Sequence, residues 1–140
     1  MTTLRLYKRE KLCSKTAIDL IFTKGEGCVA TSYPLRAVWR VNSYRGNKDT
    51  QFLISVPKKR FKHAVDRVKL RRRIREAYRL NRVPLTDDEN IAVDIAFIYL
   101  GNTIAPYKEI EQSLVKVLGK ITASLALRQQ EQHNENEADV

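Results

Sequence analysis

The chain has 140 residues, of which 43% are hydrophobic and 30% charged, enough for one domain of ordinary size with a real core; its net charge of +10 points to a polyanionic partner, nucleic acid before an anionic membrane surface. No apolar stretch approaches the roughly 20 residues of a spanning helix, and residues 1–12 show neither a long apolar run nor a small-residue cleavage site, so a cytoplasmic protein with no membrane partner is expected. Cys13 and Cys28 have no CxxC partner and only His63 and His133 beside them, which argues against a zinc site or disulfide framework and for plain thiols.

Apolar residues at 17, 18, 21 and 22 share one helix face, and Gly25 and Gly27 follow as stop signals, so the spacing predicts a short helix over residues 14–24. From Leu35 to Val41 apolar and basic residues alternate, the pattern of a half-buried strand, with Pro34 near its start. Residues 42–50 read as a polar turn, and residues 51–56 as a second short strand ending at Pro57. Over residues 62–82 the period becomes helical: Leu70, Ile74, Ala77 and Tyr78 fall on one side, and Arg71, Arg72, Arg75, Arg79 and Arg82 on the opposite arc. Pro84, Asp87 and Asp88 break that helix. Residues 91–100 are almost continuously apolar around Asp94, as in a central strand covered on both faces. A last helix is expected over residues 106–127, with Ile110, Leu114, Val117, Leu118, Ile121 and Leu125 on its core face. The polar composition after Arg128 predicts a domain over 1–128 and a disordered polar tail over 129–140.

The excess charge is localised. Residues 58–82 hold twelve basic and two acidic side chains, a net +10, while the rest of the chain holds fourteen of each sign. A merely solvated helix face mixes signs four residues apart, whereas Arg71, Arg72, Arg73, Arg75 and Arg79 repel one another with only Asp66 and Glu76 to offset them. The missing counter-charge is therefore expected on a partner, and the planar guanidinium fork suits phosphate and base contacts. Charge alone does not separate RNA from DNA. A membrane-surface helix would need large inserting residues opposite the basic arc, and this one offers only Leu70, Ile74, Ala77 and Tyr78.

No catalytic set stands out. His63 lies in the basic segment and His133 in the polar tail, Asp87, Asp88 and Glu89 read as a solvated turn, and there is no glycine-rich phosphate loop. Any RNA-processing chemistry should come from another component.

Ser55-Val56-Pro57-Lys58-Lys59, followed by Ala64-Val65-Asp66-Arg67-Val68-Lys69-Leu70-Arg71-Arg72-Arg73-Ile74-Arg75, closely resembles the signature of the bacterial ribonuclease P protein family: a strand ending in Ser-Val-x-Lys-Lys, then Ala-Val-x-Arg-Asn-Arg-x-(Lys/Arg)-Arg-x-x-Arg on a helix. The likeness extends to residues 12–25, 94–99 and 107 onward. Three positions depart from the pattern. Val68 replaces the usual asparagine and its amide hydrogen bonds, Lys69 replaces an arginine and loses the fork, and Phe61 stands where glycine is common.

The resemblance implies an α+β fold. This is a single-domain α/β sandwich resembling the second domain of ribosomal protein S5, with a small mixed sheet, the order α-β-β-β-α-β-α and a left-handed β-α-β crossover, a hand opposite to the usual rule. It implies a protein subunit of ribonuclease P, an endoribonuclease that removes the 5′ leader of precursor tRNA, with the catalytic groups and Mg2+ held by the RNA subunit. No cofactor bound tightly by the protein and no small-molecule substrate are expected. The partners implied are the ribonuclease P RNA and precursor tRNA. Carried over by position, Lys58, Lys59, Arg67, Lys69, Arg71, Arg72, Arg75 and Arg79 contact the catalytic RNA, and Ile18, Phe22 and Tyr33 the single-stranded leader. The alternative is a general RNA-binding protein, such as a ribosomal protein or assembly factor without a nuclease role.

Overall fold

The computed structural model describes residues 11–12, 15–22, 28–41, 50–82 and 93–138, with no side-chain description for 15–17, 20 and 128–138. Gly25 and Gly27, residues 42–49 of the turn expected over 42–50, the loop with Pro84, Asp87, Asp88 and Glu89, Cys13 and the side chain of His133 lie outside the described residues. The elements are α1 (Lys15–Phe22), β1 (Cys28–Ser32), β2 (Leu35–Val41), β3 (Gln51–Ser55), α2 (Ala64–Asn81), β4 (Val93–Tyr99) and α3 (Tyr107–Ala138). Their order is the α-β-β-β-α-β-α expected from the resemblance.

The four strands form one mixed sheet in the order β1-β2-β4-β3. The β1–β2 and β2–β4 pairs are antiparallel, and β3 runs parallel to β4, so α2 is the crossover between two neighbouring parallel strands, as such a pair requires. Because side chains alternate across a strand, one face of the sheet carries Leu35, Ala37 and Trp39 of β2 with Val93, Ile95, Phe97 and Tyr99 of β4. That face is covered by Leu70, Ile74, Ala77 and Tyr78 of α2 and by Ile110, Leu114, Val117, Leu118, Ile121 and Leu125 of α3, all buried. Phe52, Tyr78 and Phe97 stack through its centre, with ring centroids 4.3 and 5.5 Å apart along the series. Each fully buried aliphatic side chain here contributes on the order of 1.5–3 kcal/mol. The opposite face carries Val38, Ala96 and Leu53, and α1 covers it with Ile21 and the half-buried Ile18, next to the buried Leu12. β4, buried from both sides, is the central strand that its apolar run predicts.

Three differences from the sequence reading have local causes. β1 carries no long alternating run, and its strand character comes from pairing with β2 through Cys28↔Trp39 to Ser32↔Leu35. α3 continues past residue 127 to Ala138, because the stretch is rich in Gln and Glu and has no Gly or Pro to stop it. Phe61, in the place where glycine is common, is buried and packs its ring 5.7 Å from that of Tyr99. No described non-glycine residue has a positive φ, so the turn before α2 does not need glycine's conformational freedom.

Candidate RNA interface

α2 begins after His63, whose backbone is extended and whose side chain makes no cap. The Arg67 side chain braces the entry instead: its Nη1 donates to the carbonyls of Phe61 at 2.8 Å and Lys62 at 3.1 Å. Arg67, expected to touch RNA, therefore shapes the approach to the helix from within the chain. At the other end Asn81 Nδ2 donates to the Ala77 carbonyl at 2.8 Å and Arg82 Nη1 to the Arg79 carbonyl at 2.6 Å. Arg82 is buried, which corrects its placement on the exposed arc. At a helix C-terminus a cation folds back onto carbonyls that have no partner in the helix.

Between these ends the helix splits as its periodicity requires. Leu70, Ile74, Ala77 and Tyr78 are buried, while Lys69, Arg71, Arg72 and Arg75 are exposed. None of these four cations has a hydrogen bond or ion pair among the described residues. Lys58, Lys59, Arg60 and Lys62 are also exposed and extend the basic surface along the approach to α2. Val65 and Val68 lie open among these cations, 77% and 47% exposed.

Arg79 behaves differently. Its Nε donates to Glu76 Oε2 at 3.0 Å and its Nη2 to Oε1 at 2.5 Å, so its charge is matched by a carboxylate of the same helix one turn back. The hydrogen bond to Arg79 holds the Glu76 carboxyl below its ordinary range, and the same bond raises Arg79. Arg73, which sequence reasoning did not assign, donates from Nη1 to the Ala105 carbonyl and ties α2 to the segment before α3. Its sequence signal was its position beside the arc of Arg71, Arg72 and Arg75.

The three positions expected to meet the leader do not all come together. Ile18 is half-buried in the small core beneath α1, and Phe22 stands 52% exposed at the end of α1. Tyr33 lies in the turn between β1 and β2, and its carbonyl accepts from Ser113 Oγ of α3 at 2.8 Å. Tyr33 lines a cavity of about 240 Å³ with Tyr99, Glu109, Ser113 and Lys116. Tyr33 thus belongs with the α3 side of the sheet and Ile18 with the α1 side. The turn, which alternation could not place, carries it there. Among the described residues no group of three or more His, Cys, Asp or Glu side chains could hold a metal ion, and no helix is long and apolar enough to cross a membrane.

The sequence profile of the family described as Ribonuclease P matches residues 6–122. The chain belongs to the ribonuclease P protein family. It is 36% identical over 129 residues to the ribonuclease P protein component of Porphyromonas gingivalis, covering 87% of this chain and 93% of that one. Its fold is similar to that of the RNase P protein from Thermotoga maritima, with a TM-score of 0.64 at 23% identity over 80% of this chain and 97% of that one. A mutant RNase P protein from Staphylococcus aureus also gives a TM-score of 0.64 at 23% identity, over 81% of this chain and 89% of that one. Family membership makes the chain a subunit of ribonuclease P, in the context of tRNA processing and RNA binding.

Proposed function

We propose that the open face of α2 is the surface that holds the catalytic RNA of ribonuclease P, and that the α1 face of the sheet receives the 5′ leader of precursor tRNA. The observation that carries this reading is the row of Arg71, Arg72 and Arg75. All three are exposed and none is matched by a carboxylate among the described residues, whereas the neighbouring Arg79 is. Like charges kept side by side on a rigid helix are destabilising by themselves, and phosphates of a folded RNA relieve the repulsion. Lys69, Lys58 and Lys59 widen the field, and Arg67 fixes the geometry of the approach.

On this reading the protein supplies binding and orientation, and the RNA, with its Mg2+, supplies the chemistry of leader removal. Mixing the purified chain with a cognate ribonuclease P RNA and a precursor tRNA at low magnesium tests it: 5′ cleavage is expected to accelerate. A general RNA-binding protein would bind the RNA with similar salt sensitivity and leave the cleavage rate where the RNA alone sets it.

A further inference from the structure

The face of the sheet under α1 is only partly covered. Val38 and Ala96 are buried there with Ile21, yet Thr31, Arg36 and Val29 on the same side remain exposed. Arg36 lies two residues before Val38 on β2, so it projects to the α1 side, opposite to the core-facing Leu35 and Ala37. The strand register sets it in a row: Thr31 of β1 pairs with Arg36, Arg36 with Ile98 of β4, and Ile98 with Ser55 of β3. That row crosses the whole sheet, a span of about 14 Å for four strands. It ends at Ser55, from which the chain passes directly to the exposed Lys58 and Lys59 before α2.

Arg36 is the one charged residue of the row. Its partners across the ladder, Thr31 and Ile98, carry no charge, and no hydrogen bond or ion pair engages its guanidinium among the described residues. Asp94, a carboxylate of the same face, stands opposite Arg40, two rows further along. An arginine with no acid beside it among the described residues, on an open sheet surface where the exposed Val29 lies one row away on the same face, combines a phosphate-binding fork with apolar surface for bases.

We propose that Arg36 is a positioning residue for the leader, gripping its phosphate backbone as the strand crosses the sheet from the β1 edge toward Lys58 and Lys59. The inference rests on the reading of the α1 face as the leader's surface, and it adds a charged contact that depends on leader length and salt but not on leader sequence.

The test uses the full chain reconstituted with its cognate catalytic RNA and two forms of one precursor tRNA, with a long single-stranded leader and with a leader of one nucleotide. The readout is the ratio of their dissociation constants across a salt series. Arg36→Ala is expected to shrink the preference for the long leader by roughly 3- to 10-fold and to lower the salt slope for that substrate by about 0.7, the value for one single-strand phosphate contact. Arg36→Lys, which keeps the charge, is expected to retain most of the slope. An unchanged preference in Arg36→Ala overturns the proposal, as does an equal loss on both substrates, which would place Arg36 elsewhere in the assembly. If the unaltered protein itself gives no preference for the long leader, the reading of the α1 face as the leader's surface fails, a result separable from failure of the arginine alone.

Discussion

Arg79 is turned back along α2 onto Glu76, with Nε and Nη2 of the guanidinium each facing one carboxylate oxygen. The pair removes one member from the basic arc drawn by helical periodicity and leaves Arg71, Arg72 and Arg75 as its open part. In titrations of the catalytic RNA followed by fluorescence anisotropy, Arg79→Ala should therefore cost less affinity than Arg72→Ala or Arg75→Ala. Glu76→Gln, which releases Arg79 and deletes an acid from the face, should tighten binding by about 1.5- to 5-fold, the range of exposed ion pairs.

Arg67 makes a different kind of contribution. Its bonds to the Phe61 and Lys62 carbonyls hold the turn that inserts Phe61 into the core, so Arg67→Ala should lower stability in urea unfolding by about 1 kcal/mol, the usual worth of such bonds. Equal stability for Arg67→Ala and the unaltered chain would show that the turn stands without the brace.

Much of this architecture could be read from residue patterns, for identifiable reasons. Leu70, Ile74, Ala77 and Tyr78 are buried as the 3.6-residue period predicts, and β4 is central as its apolar run, broken only by Asp94, predicts. Periodicity assigns a direction to each residue and says nothing about local partners. It therefore placed Arg79 and Arg82 with the open arginines, although one bonds Glu76 and the other closes the end of α2. Tyr33, assigned by resemblance rather than by alternation, sits in a two-residue turn, where alternation stops, and the turn docks on Ser113. Arg36 was legible in principle, since the alternation of β2 puts it opposite Leu35 and Ala37, but which sheet face stays open depends on where the short α1 packs.

Ile74 lies fully buried between α2 and the sheet. Ile74→Ala should destabilise the fold by about 2–5 kcal/mol through lost burial and the cavity left behind, seen as a lower urea midpoint. A loss below 1 kcal/mol would mean that the core face of α2 is wrongly placed.

Alkaline pH should loosen the contact between α2 and α3. Tyr107 donates to Glu111 Oε2 at 2.7 Å, the same oxygen that accepts from Asn81 Nδ2 at 3.5 Å. Loss of water around the phenol, followed by the bond to Glu111, pushes Tyr107 up to about 12 from an ordinary 10. The folded state thus keeps a proton that the unfolded state releases, so this contribution to stability is complete below pH 10 and is lost as pH rises toward about 12. Tyr107→Phe should flatten the fall in unfolding free energy over that window; an unaltered pH profile would remove Tyr107 as its source.

The central claim concerns the open arginine row, and the most direct measurement is the affinity of the cognate ribonuclease P RNA for Arg71→Glu/Arg72→Glu/Arg75→Glu against the unaltered chain over a salt series, with thermal melting of both. The account predicts a steep salt slope for the unaltered protein, binding reduced below detection in the triple variant, and melting temperatures within a few degrees of one another, since all three side chains point to solvent. Retained affinity in a folded triple variant would contradict it.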